Sequence, residues 1–350
     1  MKTITNIFFF FSFFFFLNCG GEKFPLPAQP EIGAFNLSVS DTTYLQLRPV
    51  WDAAAGYTFD HPQDILLGNE PLVYVADTGN DRIVMLDLSG NILGESQPIE
   101  NPVAITQDTK LNLIIVTDSN KIYRIQLVQY GHQIQDAPVE LVFEEVDNPD
   151  RKITGVAAVL RSVLGQSVLR YFVTATGSRK RDNQVLFFPE DFNVRVADAV
   201  NLVPNGLGIL SASSPSGITT LRNFSDDFIF CMIGDNSFKV QWMTAGEFGF
   251  IPRLNPAQGN FDMLVPGKFS QPQDVTIDLT GNIYVIDSDL DRLFKFSPSG
   301  GELQSFGESG SGEKQFNNPN GVAFFDKTLY IADTGNNRIV RFKLSTDIEQ

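Results

Sequence analysis

Two cysteines and two histidines in 350 residues leave little from which to build a four-ligand zinc cage or a site that needs three imidazoles. Basic residues are scarce as well, with 26 Lys and Arg against 41 Asp and Glu and a net charge of −15. Such a surface repels phosphate backbones, so nucleic acid is not an expected partner. Long apolar runs are missing too. The run from Ile7 to Leu17, broken only by Ser12, falls well short of the roughly 20 residues that a membrane-spanning helix needs. What the chain does have is a 43% hydrophobic share with 12% aromatics, enough to bury a core and too much for global disorder.

The short apolar run is informative by its position. Lys2 gives a basic start, and eight Phe lie between Phe8 and Phe16, which suits the core of an export signal. Leu17-Asn18-Cys19-Gly20 follows and resembles the lipobox of bacterial lipoproteins, although Asn18 stands where that motif usually has Gly, Ala or Ser. The resemblance implies that residues 1–18 are removed and that Cys19 is lipidated. Gly20, Gly21, Pro25, Pro27 and Pro30 then exclude a continuous helix or central strand, so residues 19–43 read as a tether. The expected setting is an exported, lipid-anchored protein of the bacterial cell envelope, held at the outer membrane or facing the periplasm.

Internal repeats organise the rest. Tyr74-Val75-Ala76-Asp77-Thr78-Gly79-Asn80-Asp81-Arg82-Ile83-Val84 returns as Tyr330-Ile331-Ala332-Asp333-Thr334-Gly335-Asn336-Asn337-Arg338-Ile339-Val340, with nine of eleven residues identical. A third copy runs from Tyr284 to Phe294 and keeps Asp287, Asp291 and Arg292. Each copy follows a short segment led by a proline: Pro62, Pro272 and Pro319. The same mark recurs at Pro102 and Pro215, and, without the proline, at Ile153. Six units result, beginning near residues 59, 99, 151, 213, 269 and 316.

Within a unit, Leu72 to Ala76 is apolar on both alternating faces, as expected of a strand covered on both sides. Asp77 to Arg82 then makes a hairpin loop in which Gly79 and Asn80 are expected to take positive φ. Four short strands repeated six times predict an all-β, six-bladed β-propeller over residues 44–345. The last unit lacks room for a fourth strand. Residues 44–51, an orphan strand near the N-terminus, are expected to complete it and close the ring.

These residues resemble the NHL repeat family, nearly throughout residues 307–342, closely over 59–94 and well over 269–303. The resemblance implies a six-bladed propeller. It does not fix an activity, because NHL propellers include protein- and RNA-binding modules and related propellers include lyases and lactonases.

Asp77, Arg82, Asp287, Arg292, Asp333 and Arg338 recur with the repeat, so they are expected to pin hairpin turns through an Arg fork on a carboxylate or on turn carbonyls. Asp64, Asp274 and Asn320 follow the leading prolines, where the innermost strands start. Facing a central channel, they would offer oxygen ligands to a hard cation, and Ca²⁺ is the only cofactor the sequence suggests. His61 and His132 have no evident nucleophile beside them in sequence, and Cys231 reads as a small buried apolar side chain. The expected function is therefore a monomeric binding scaffold that presents a protein or carbohydrate with interaction surfaces in the envelope. The alternative is a cation-dependent, lactonase-like or lyase-like enzyme with its site at the channel.

Overall fold

Val73 to Asp77 is buried at every position, because the strand Leu72–Asp77 lies between two neighbours in its own sheet and between two other sheets. It pairs antiparallel with Pro62–Leu67 on one side and Arg82–Asp87 on the other, and Ile92–Glu95 completes the sheet. The same meander recurs from Pro102–Gln107 to Val139–Glu144, from Pro215–Thr220 to Gly249–Pro252 and from Pro272–Ile277 to Glu302–Phe306. In this computed structural model, residues 43–347 are described, apart from 164, 194–199, 201, 222–224 and 248. The expected signal, Cys19 and all of the tether except its last residue lie outside the described residues.

The repeats build a six-bladed β-propeller. Its third blade differs from the expected pattern. Among the described residues it has three strands, and its first hairpin, Lys152–Val163 with Gln166–Thr176, is twice the length of the others. Strands of this length carry the hairpin past the ends of its neighbours, and Arg161 secures it by donating to both oxygens of Asp226 at 2.7 and 2.6 Å on the next blade.

Blade six takes its fourth strand from the other end of the chain. Gly321–Phe325, Thr328–Asp333 and Arg338–Leu344 are joined by Tyr44–Gln46, with Tyr44 opposite Leu344 and Gln46 opposite Phe342. The strand is shorter than the sequence suggests. Pro49 has no N–H with which to continue the ladder, and pairing resumes only at Trp51, opposite Ile339.

Packing follows the same sixfold plan, with one hydrophobic cluster between each pair of adjacent blades. Between blades six and one, Trp51, Val73, Val75, Ala332 and Ile339 are buried together, and the Arg341 guanidinium sits 4.4 Å from the Trp51 ring. Emptying this site should therefore loosen the closure of the ring. Trp51→Ala is expected to cost about 3–5 kcal/mol of stability in chemical denaturation. Leu93→Ala, on the exposed outer edge of blade one, should stay within about 0.5 kcal/mol. Equal losses would argue against this account.

Candidate functional site

The repeated turn is a short 3-10 segment, Thr78–Asn80 in blade one and Thr334–Asn336 in blade six. Positive φ falls on the residue after it, Asp81 at 55° and Asn337 at 53°, rather than on Gly79 and Asn80. The glycine is required for a different reason. A Cβ on Gly79 would lie 2.6 Å from the Asp60 carboxyl, and one on Gly335 would lie 2.6 Å from the Asn317 carbonyl. Glycine lets the incoming linker cross the turn.

Asp77 and Asp333 sit at the centre of these turns, fully buried. Asp77 accepts from the Asp60 N–H at 2.7 Å, from Asn80 Nδ2 at 2.9 Å and from Arg82 Nε at 2.8 Å. Asp333 accepts from the Asn317 N–H, Asn336 Nδ2 and Arg338 Nε at 2.8, 2.9 and 2.7 Å. Burial raises the Asp333 carboxyl above the usual range, while these donors and the Arg338 charge pull it back. Blade five divides the task. Asp287 accepts four backbone N–H groups, from Ser270, Gln271, Asp289 and Leu290, and Arg292 donates to the Gly307 carbonyl at 3.3 Å.

A second set of side chains reaches from each blade to the next, and sequence reasoning missed it. Asp81, Asp291 and Asn337 accept the N–H of Asn101, Asn318 and His61 at 2.8, 2.7 and 2.9 Å. These acceptors share one repeat position, so the signal was an Asp or Asn in every copy. Thr78 and Thr334 donate to the carbonyls of Pro102 and Pro62 at 2.6 and 2.7 Å, and Thr154 and Ser216 do the same for Pro215 and Pro272, each at 2.7 Å. In blade three, buried Asp182 takes over the turn-centre task by accepting from Asn148 Nδ2 at 2.7 Å and the Arg179 N–H at 3.1 Å.

Asp64 and Asp274 belong to this inter-blade set. Asp64 Oδ2 accepts the Ile105 N–H of blade two at 2.7 Å, and its Oδ1 accepts the Ile65 N–H at 2.7 Å. Asp274 Oδ2 accepts the Val322 N–H of blade six at 2.9 Å. At the corresponding positions in blades four and six the chain has Gly217 and Gly321. A Cβ on Gly321 would lie 2.7 Å from Asp64 Cα, and one on Gly217 would lie 2.6 Å from Asp274 Oδ1. The carboxylates are thus aimed at neighbouring strands. Burial pushes Asp64 up to about 6. Asp274 is pushed well above the usual range, first by burial and then by the nearby Asp64.

Asn320 occupies a different repeat position, matching Gln63 and Gln273. Its Nδ2 donates to the Asn318 carbonyl and to Thr334 Oγ1, both at 3.1 Å. A hard cation needs six to eight oxygens. Here both Asp64 oxygens and one Asp274 oxygen already accept backbone N–H groups, and burial favours the protonated acids. Among the described residues no three His, Cys, Asp or Glu side chains come together as a metal-ligand group. The residues present therefore fit Ca²⁺ poorly.

The innermost strands enclose a central channel of about 1260 Å³. Asp64, Asp274 and Asn320 line it, whereas Asp77, Arg82, Asp333 and Arg338 do not. His61 lies on one rim with Nδ1 2.6 Å from Asp60 Oδ1. His132 is on the opposite side, 3.8 Å from Glu70 Oε1. Cys231 is fully buried, and desolvation raises its thiol further above the ordinary value.

Three comparisons with known proteins bear on this geometry. The NHL repeat profile matches residues 316–342. The human NHL repeat-containing protein 3 is 36% identical over 123 residues, which is 30% of this chain and 35% of that protein, so the chain spans about a third of that relative's length. Among solved structures, a Bacteroides thetaiotaomicron protein of unknown function superposes with a TM-score of 0.62 at 15% identity, covering 87% of this chain and 76% of that one. An auxiliary nutrient binding protein from Bacteroides ovatus gives a TM-score of 0.61 at 11% identity, covering 87% and 77%. At these identities the structural likeness is one of fold.

Arg338 is nearly buried against Asp333, so Arg338→Ala leaves a carboxylate without its ion partner and should cost about 3–5 kcal/mol. Arg82, at 19% side-chain exposure, should cost less when truncated, and urea denaturation of the two variants tests the order. Asp64 binds its proton more tightly when folded, so its contribution to stability is fully present below the unfolded value near 3.8 and is lost as pH rises through about 6. Between pH 4 and 7, Asp64→Asn should flatten the fall in melting temperature expected of the parent. An unchanged slope would remove Asp64 as its source.

Proposed function

We propose that this chain, an NHL-repeat protein built as a six-bladed β-propeller, is a lipid-anchored binding scaffold of the bacterial cell envelope whose turns and inter-blade loops engage a protein or carbohydrate. The observation that carries this reading is where the repeated polar residues are spent. Asp77, Asp333, Arg82, Arg338, Asp81, Asp291 and Asn337 all hold turns or neighbouring blades, which makes the repeat a frame. The segments between strands are then left to vary, as recognition surfaces on a rigid scaffold do. The long loops after Gln126 and Pro252 supply such surface.

Two further features support the assignment. The export-type core followed by Cys19 suits a lipidated N-terminus, and two or more acyl chains would make attachment to a bilayer stable. The fold neighbour from Bacteroides ovatus is named for nutrient binding, a task of the same general kind. The acidic surface fits a partner that is neutral or basic and disfavours a polyanion.

Cys19 is the direct point of attack. Cells expressing the full chain and fed an alkyne-bearing palmitate analogue should label the protein, and Cys19→Ala should abolish labelling and release the protein from the membrane fraction. Labelling that survives Cys19→Ala would refute the anchor. Cross-linking in intact cells should capture one stoichiometric envelope partner, and recovery of the chain alone would refute a protein partner.

A further inference from the structure

Both tryptophans of the chain carry an arginine on the ring face, and the two places differ in one component. In blade four Trp242 is on the third strand, Val240–Gly246, and Arg253 follows the outer strand, with its guanidinium 4.1 Å from the indole ring. In blade six the roles are exchanged. Arg341 is on the third strand, Trp51 on the segment that closes the ring, and the guanidinium sits 4.4 Å from the indole. Blade four supplies a carboxylate to its pair. Asp227 accepts from Trp242 Nε1 at 2.8 Å and from Thr244 Oγ1 at 2.7 Å, and it lies 3.7 Å from Arg253 Nη1.

Blade six supplies none. Arg341 Nη2 donates to the Pro49 carbonyl at 3.0 Å, and the guanidinium makes no ion pair among the described residues. Its Nε and the Trp51 Nε1 are both buried without a hydrogen-bond partner. Tyr330 stands directly across the strand pair from Arg341, with its ring 6.1 Å from that of Trp51, and its hydroxyl has no hydrogen bond among the described residues either. Trp51, Tyr330 and Arg341 are 0, 4 and 8% exposed. Guanidinium and indole N–H groups can only donate, and a phenol can donate as well. Desolvation weakens the hold of Arg341 on its proton, and the groups that favour its charge are the phenols of Tyr330 and Tyr57. Those phenols are raised by burial and, less strongly, by Asp87 for Tyr57 and Asp326 for Tyr330, but neither acid pairs with the guanidinium. A buried charge without a counterion is costly, and an anion that meets several donors at once offsets that cost.

We propose that the seam between blades six and one binds a small carboxylate anion, which takes beside Trp51 and Arg341 the part that Asp227 plays beside Trp242 and Arg253. The two oxygens of a carboxylate can accept from a guanidinium and an indole together. Size follows from burial, since side chains this well covered admit only an anion of a few atoms. The net charge of −15 does not forbid it, because exposed charges farther away than a Debye length, about 10 Å in 0.1 M salt, are largely screened.

This site lies away from the loops, and it stands whether or not the surface-scaffold reading holds. The test follows the indole N–H resonances of the purified, ¹⁵N-labelled chain. Two tryptophans give two indole peaks, and Trp242→Phe identifies the one that belongs to Trp51. Sodium acetate should shift the Trp51 peak downfield to a plateau and leave the Trp242 peak, whose N–H Asp227 already holds, in place. Sodium chloride at equal concentration should move neither. Arg341→Met should weaken acetate binding about tenfold or more, through loss of a hydrogen bond to a charged group, and Arg253→Met should leave it at the parental value. If Arg341→Met does not fold, the parent titration decides the matter. A stationary Trp51 peak, as water at these donors would give, an equal response to chloride, parallel shifts of both peaks, or a folded Arg341→Met with parental affinity would each overturn the proposal.

Discussion

The innermost strand of every blade has one edge in its sheet and the other facing the axis, where no strand can pair with it. Its backbone groups on that edge must be satisfied by something else or lose free energy on burial. In this propeller the neighbouring blade supplies the partners. Asp64 caps Ile105 N–H, Asp274 caps Val322 N–H, Thr106 receives Ala158 N–H, and Thr or Ser hydroxyls reach the carbonyls of Pro62, Pro102, Pro215 and Pro272. The ring is thereby held at its inner radius by directional bonds and between its sheets by non-directional apolar packing.

This arrangement accounts for two carboxylic acids in the wall of a channel. A carboxylate is a good acceptor for two backbone N–H groups at once, and the desolvation it suffers shows in the raised Asp64 and Asp274 values. Where the strands come closer, glycine replaces the acid, as at Gly217 and Gly321. Acid and glycine are alternative answers to the spacing between two blades. The Asp–Arg pairs at the outer turns answer a separate need, fixing the linker that crosses each hairpin.

Much of the fold was legible because it is written several times. The identity between Tyr74–Val84 and Tyr330–Val340, the recurring prolines and the alternation of apolar residues gave the all-β class and the number of blades. Legibility failed where one copy carries a task alone. Asp182 does the turn-centre work of blade three from a position unrelated to Asp77, and the extended hairpin ending near Val163 has no counterpart. It also failed for Gly79, whose role is a close approach to Asp60, a contact between segments that no local pattern displays.

The sequence by itself determined the repeat, hence the blade, because strand periodicity and turn chemistry are local and each copy reports them independently. It also determined the acidic charge and the scarcity of His and Cys, which no folding can change. Tertiary structure alone decided what Asp64, Asp274 and Asn320 face, because a side chain at the end of a strand can turn to the axis or to the next blade with the same local conformation. The choice depends on how closely two strands from different repeats approach, and that distance is set by the closed ring as a whole.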